Sequence, residues 1–313
     1  MRTFPQAARE RVIIYDGAFG THIQALDLSA DDFGGPDLEG CNEMLSLTRP
    51  DVIADMHDAF LSVGADVVET ATFGAFAVPL SEYDVADRSH EINLAAARIA
   101  SDVVRGFDTD RPRWVAGSIG PGTRFASLGQ ITYTELRDAY EVQARALLEG
   151  GVDLFIVETM FDLLGAKAAI NGCRRAMRAL GREVPLQAQV TIELTGRMLP
   201  GTEIGAAVAA LDPLRPDVLG INCATGPAEM GEHLRVLSQQ SRVPISCIPN
   251  AGMPSVVDGA MHDDLSPAEL ADHLGRFVTD LGVTVIGGCC GTTVDHIEAV
   301  VDRCQHLTPA PRQ

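Results

Sequence analysis

The 313-residue chain has one Trp and four Tyr, so its core has to be built from aliphatic side chains. It has no basic run. Lys and Arg total 24 against 43 Asp and Glu, for a formal charge of −19. A phosphate backbone would be repelled by such a surface, which argues against nucleic acid as a partner. No stretch of 18 apolar residues occurs, and no charged segment followed by an apolar one opens the chain. The expectation is a cytoplasmic protein with no membrane partner. The absence of a Gly-x-Ser-x-Gly elbow argues against a serine hydrolase. The absence of a Gly-x-x-x-x-Gly-Lys-Ser/Thr loop leaves nucleoside triphosphate chemistry without support. The seven cysteines are odd in number, and in an intracellular chain they point to thiols, metal ligands or packing rather than disulfides.

What is present is an alternation. Short apolar runs at Val12–Asp16, Asp66–Thr70, Trp114–Ile119, Leu154–Glu158, Leu186–Ile192, Val218–Cys223, Ile245–Pro249 and Val283–Gly287 read as eight strands. Between them lie helical patterns at Ser89–Val104, Thr134–Leu148, Pro227–Ser238 and Pro267–Leu281, with a last one opening near Thr292. Eight such units in one chain of this length predict an α/β fold, a single-domain (β/α)8 barrel over residues 1–306. Extra material between the first two runs holds a Gly/Pro/Asp-rich loop at Asp31–Gly40 and a helix near Pro50–Val63. Residues 307–313 read as a disordered tail or linker stump.

Chemistry in such a barrel sits at the C-terminal ends of the strands. Polar residues do gather where the apolar runs stop: Asp16, Glu69-Thr70, Ser118, Glu158-Thr159, Glu193, Asn222-Cys223, Asn250 and Cys289-Cys290. Cys41, Cys173, Cys247 and Cys304 read as small buried hydrophobes. Cys223, Cys289 and Cys290 do not. The pair sits in Gly287-Gly-Cys-Cys-Gly291, where glycines permit the backbone angles that aim two sulfurs at one point. Three thiolates with one open position suit a catalytic zinc. A redox pair or a purely structural metal would use the same three thiols.

These segments resemble a known family. Val285-Ile-Gly-Gly-Cys-Cys-Gly-Thr-Thr293, Gly220-Ile-Asn-Cys-Ala-Thr-Gly-Pro227 and Asp16-Gly-Ala-Phe-Gly-Thr21 are similar to motifs of the homocysteine S-methyltransferases. Glu69-Thr-Ala-Thr-Phe73, Gly117–Gly122, Val157-Glu-Thr159 and Pro249–Pro254 extend the likeness across about residues 11–303. Cys41-Asn-Glu and Thr48-Arg-Pro-Asp51 resemble one branch, the N-terminal homocysteine-binding modules of cobalamin-dependent methionine synthases.

The resemblance implies one zinc held by Cys223, Cys289 and Cys290. It implies a zinc-activated homocysteine thiolate as the nucleophile, with no further catalytic residue. Substrate contacts follow at Asp16 and Glu158 (ammonium), at the Ala18 and Phe19 amides (carboxylate) and at Asn250 (amine or a fourth metal position). Ser118 either lines the pocket or caps backbone. The methyl donor implied is methylcobalamin on another module or protein, with corrinoid and folate modules as partners. The chain itself has no Asp-x-His-x-x-Gly cobalamin signature. The rival donors are S-methylmethionine and betaine, and the rival class is a non-catalytic zinc or redox thiol protein. Ala71 stands where the family has Asn, which predicts one missing polar contact near the substrate.

Overall fold

The computed structural model describes residues 3–107, 111–252, 254–257, 260–263 and 265–312. All eight apolar runs form strands: β1 (Ile13–Ile14), β2 (Val67–Glu69), β3 (Trp114–Ile119), β4 (Leu154–Met160), β5 (Leu186–Val190), β6 (Val218–Asn222) and β7 (Ile245–Ile248). An antiparallel hairpin of β8 (Pro254–Val257) and β9 (Ala260–Asp263), which is not among the eight apolar runs, precedes the eighth barrel strand, β10 (Val285–Ile286).

Every barrel pair is parallel, in the order β1-β10-β7-β6-β5-β4-β3-β2. A bridge from Tyr15 to Val67 joins the two ends and closes the ring. The seam is reinforced at Asp66, whose buried carboxylate accepts the Ile14 N–H (3.0 Å), Arg11 Nη1 (2.9 Å) and Arg111 Nη2 (2.7 Å). A buried carboxylate is tolerated there because both oxygens are paired.

Both faces of the strands are covered, which is why they read as continuous apolar runs. Ile13, Tyr15, Val67, Trp114, Ala116, Leu154, Ile156, Val218 and Val285 fill the barrel. Alternate residues, such as Val12, Ile14 and Val115, pack outward against the helices. The N-terminal end is plugged by Phe4 of a short helix α1 (Phe4–Glu10), edge-on to Trp114 at 5.7 Å and Tyr15 at 6.4 Å. Gly220 marks the tightest strand approach, because a Cβ there would lie 2.5 Å from the Ser246 carbonyl.

The surrounding helices carry their own start and stop signals. Tyr133–Gly150 opens with a Thr132/Glu135 capping box, and Pro267–Leu281 opens with one of Ser266 and Glu269. Both end at a left-handed glycine, Gly151 and Gly282. A further helix, Leu163–Leu180, has a buried face made largely of Gly165, Ala166, Ala168, Ala169 and Gly172. Ile170, Cys173 and Met177 complete that face, so the helix is amphipathic although most of its buried residues are small. No helix among the described residues is long and apolar enough to cross a membrane.

The tail differs from its expected disorder. Leu307 packs on the outer core, Ala310 N–H donates to Val278 O (3.0 Å), and Arg312 Nη2 donates to Val243 O. Residues 307–312 therefore lie against the barrel, where the Val278 and Val243 carbonyls each accept a second donor from the tail. Gln313 is outside the described residues.

Candidate functional site

The C-terminal ends of the barrel strands surround a cleft of about 250 Å³. One wall is sulfur. Cys223 follows β6, and Cys289 and Cys290 follow β10. Their sulfurs all lie within 4.8 Å of one another, with Cys223 Sγ 3.9 Å from Cys290 Sγ. Tetrahedral thiolates at ~2.3 Å from zinc would stand roughly 3.8 Å apart, so the three fit that ion. Contact with Cys223 and then Cys289 pulls the Cys290 thiol down to about 3, while contact with Cys223 and Cys290, and then burial, push Cys289 up.

The loops reach this arrangement by two different routes. Cys223 and Ala224 are both left-handed (φ 61° and 63°) without a glycine. Such a conformation costs about 1–2 kcal/mol per residue. It is held by Cys223 N–H to Ile248 O (3.1 Å) and Thr225 N–H to Cys223 O (2.9 Å). In the second loop only Gly291 is left-handed (φ 79°). Gly287 and Gly288 serve space rather than angle, since a Cβ would lie 2.6 Å from Tyr15 Cβ at the first and 2.6 Å from Thr292 Cβ at the second. This corrects the expectation that all three glycines act through backbone freedom.

The opposite wall is acidic. Glu158 lies two residues before the end of β4, where Ser118 Oγ donates to Oε1 (2.6 Å) and Asn222 Nδ2 to Oε2 (3.2 Å). Asn222 also accepts the Thr159 N–H (2.8 Å), which pins that left-handed residue (φ 55°). Asp16 Oδ2 accepts the Glu69 N–H (2.9 Å). Burial raises Asp16, Glu69 and Glu158 above the usual carboxylate range. The Glu69 hydrogen bond works against the shift at Asp16, and the Glu158 charge adds to it. Glu43 reaches the same cleft from the insert after β1, with Oε1 accepting the Gly74 N–H (2.8 Å). Four carboxyl groups thus line the cleft, and none of the lining residues is Lys, Arg or His. Such a site selects a cationic group, whose charge relieves their mutual repulsion.

Of the residues singled out in the sequence, the structure gathers Cys223, Cys289, Cys290, Asp16, Ala18, Phe19, Ser118 and Glu158 around one cleft. Ala18 needs a correction. Its N–H already donates to Thr292 Oγ1 (3.1 Å), so it is not open to a carboxylate. The open amides are those of Phe19, Gly20 and Thr21, at the start of helix α2 (Phe19–Gln24). Asn250 does not line the cleft. It lies between the cysteine loops, its N–H on Thr225 O (3.1 Å), while its buried Oδ1 has no hydrogen-bond partner. An orphaned acceptor between two thiol-bearing loops is compatible with a metal ligand.

Ala71 also departs from expectation. It is fully buried among Ile23, Phe33, Leu45 and Ile53, so its side chain does not border the substrate. Glu69 and Glu43 are site residues that the sequence reading did not select. Glu69 was visible as a polar strand end, but Glu43 sits in an insert with no periodic signal. Cys41, Cys173, Cys247 and Cys304 are buried, as their packing role requires.

Comparison with known proteins agrees with this geometry. A family model for homocysteine S-methyltransferase matches residues 13–304. Methionine synthase of Mycobacterium tuberculosis is 48% identical over 305 residues, and that of Mycobacterium leprae 49% over 303. The matches cover 97% and 96% of this chain but 25% of each relative, so the chain spans about a quarter of their length. The metallated homocysteine methyltransferase MmuM from Escherichia coli superposes with a TM-score of 0.75, covering 94% of this chain and 97% of its own, at 21% identity. Thiols, carboxylates and barrel together place this chain in the homocysteine S-methyltransferase family.

Proposed function

We propose that the chain binds one zinc ion through Cys223, Cys289 and Cys290 and presents the thiol of homocysteine to a methyl donor, giving methionine. The observation that carries this is the convergence of three thiols, from β6 and β10, on a small cleft lined by four carboxyl groups and no cation. Zinc held by three thiolates would lower the pKa of an added thiol while leaving its sulfur nucleophilic.

The protein's own groups do the rest. Glu158 and Asp16, with Glu69 beside them, hold the substrate ammonium. The first-turn amides from Phe19 onward receive the carboxylate. Ser118 and Asn222 fix Glu158 by two hydrogen bonds, which sets the direction of the amino-acid backbone and hence of the sulfur. Asn250 Oδ1 supplies a fourth metal position when no substrate is bound. Phe73 and Ile248 line the cleft and limit water around the sulfur.

The donor is methylcobalamin, carried by a separate corrinoid module or protein alongside a folate module, in the cytoplasm. Two observations support an external donor. The cleft, at about 250 Å³, suits an amino acid and not a corrinoid. Phe73 lines the cleft, and with Leu26, Leu128, Leu164, Leu194 and Leu199 it makes up six of the seven exposed large apolar side chains among the described residues. All six follow the C-terminal ends of β1 to β5. Exposed apolar side chains after these strand ends suit a protein seated over the mouth.

Zinc content with and without homocysteine, followed by X-ray absorption at the zinc edge, tests this reading. One zinc per chain, with sulfur neighbours rising from about three to about four when homocysteine is added, is the expected result. Reduced protein without zinc, or a sulfur shell indifferent to homocysteine, would overturn it. Assays with methylcobalamin, S-methylmethionine and betaine in turn identify the donor.

A further inference from the structure

A second cavity, of about 500 Å³, lies at the other end of the barrel, where the strands begin. Its walls come from the end of α1, the turn before β7, the turn before β10 and the tail. Three guanidinium groups line it: Arg9 from α1, Arg242 from the first turn and Arg312 from the tail. In a chain with net charge −19 this is a local reversal of sign. Glu10 is the one carboxylate among the lining residues, and it has an interaction of its own.

Two buried donors in these walls lack an acceptor. Arg312 gives Nη2 to Val243 O, but its buried Nη1 has no partner. Thr284 is 8% exposed, and its Oγ1 has no partner either. Both atoms lie just behind the cavity surface, and because buried polar groups are nearly always satisfied, an accepting ligand would pair them once the side chains turn towards it. Burial, and then the charge of Arg9, hold the Arg312 guanidinium below its ordinary range, the direction that an added anion would reverse.

We infer that this cavity is an oxyanion site, in which a phosphate or carboxylate group is held by Arg9, Arg242, Arg312 and the Thr284 hydroxyl. Guanidinium forks match both groups, and the Thr284 hydroxyl completes the donor set. The site is remote from the thiols and lies at the end of the barrel associated with stability. Because Arg312 belongs to the tail and the other three groups to the barrel, a bound oxyanion ties one to the other and stabilises the folded chain. The oxyanion is either a free phosphate-type ion or the carboxylate of an acidic protein segment.

Calorimetric titration of the full chain with phosphate, and separately with succinate, tests this at constant ionic strength, with and without saturating homocysteine. The inference predicts saturable one-site binding of at least one of them, unaffected by homocysteine. Arg312→Gln weakens it by at least about tenfold and Thr284→Val by about two- to tenfold, the usual scale for a charged and a neutral hydrogen bond. Preference for phosphate identifies a free ion, and preference for succinate an acidic segment. If Arg312→Gln does not fold, the exposed Arg242→Gln reads the same site. Failure of both anions to saturate overturns the inference. So does an affinity unchanged in these variants, or displacement by homocysteine, which would put the anion in the cleft. None of these outcomes depends on the metal or the methyl donor.

Discussion

Glu158 is the residue on which the substrate reading turns, because it is buried, raised above its ordinary range and held by two donors with no cation nearby. Replacing it by Gln keeps the shape and removes the charge. The KM for homocysteine should rise by about 10- to 100-fold, the value of a lost charged hydrogen bond, while zinc content stays at one per chain. Steady-state kinetics with metal analysis checks both halves. Ala71 makes the opposite kind of prediction. An Asn there would bring an amide into a wholly apolar cluster. Ala71→Asn should destabilise the fold by about 1–3 kcal/mol in urea unfolding and leave homocysteine affinity unimproved. Improved affinity would show that the side chain reaches the cleft after all.

The strand ends act as a group. Asp16, Glu69 and Glu158 come from β1, β2 and β4, and each is raised, chiefly by burial. Since their native values lie above those of the unfolded chain (about 4), the native state binds more protons in the interval between the two. Stability of the free protein should therefore fall as pH rises through that interval. An ammonium ligand favours the charged carboxylates and reverses the shift, so binding should release protons. Norleucine, which has the ammonium and no thiol, isolates this effect. Its binding enthalpy should vary with the ionisation enthalpy of the buffer. Buffer-independent heat would mean that the carboxyls are already ionised. At this scale the sequence was legible where the signal is periodic: all eight strands were anticipated within a few residues. Leu163–Leu180 was not singled out, although Ile170, Cys173 and Met177 share its buried face with Gly and Ala and make it amphipathic. The β8–β9 hairpin was missed although Asp258-Gly259, between Val256-Val257 and Ala260-Met261, is a two-residue turn signal in the sequence.

For the whole molecule, the distribution of exposed apolar side chains is the informative feature. Six of the seven among the described residues follow β1 to β5 in the chain, and the thiols follow β6 and β10. If a donor-bearing protein seats on those six, Leu194→Asp with Leu199→Asp should slow methyl transfer from protein-bound methylcobalamin by about tenfold or more. Transfer from free methylcobalamin should change little, and the unfolding midpoint should hold. Equal loss with both donors would mean that the loop shapes the cleft itself. The tail belongs to the same scale. Its composition suggested disorder, yet Leu307 finds an apolar surface and Ala310 and Arg312 find backbone acceptors on the barrel.

The linear sequence was enough to determine the barrel, because eight apolar runs at regular spacing have few other ways to bury themselves. It also pointed to the three thiols, which the structure brings within 4.8 Å of one another, because all three follow strand ends and two of them sit in a glycine-dense turn. What it could not determine was which groups share a cleft. Glu43, 31 residues away from Gly74 in the chain, accepts that residue's N–H, and Glu69 settles beside Asp16 and Glu158 only once the ring closes. Ala18 lost its free amide to Thr292, 274 positions along, and Ala71 turned into a core residue. Local pattern reflects period and propensity, which act over a few residues. The pairing of a donor with an acceptor, or of three carboxylates with one another, depends on distances that exist only after closure.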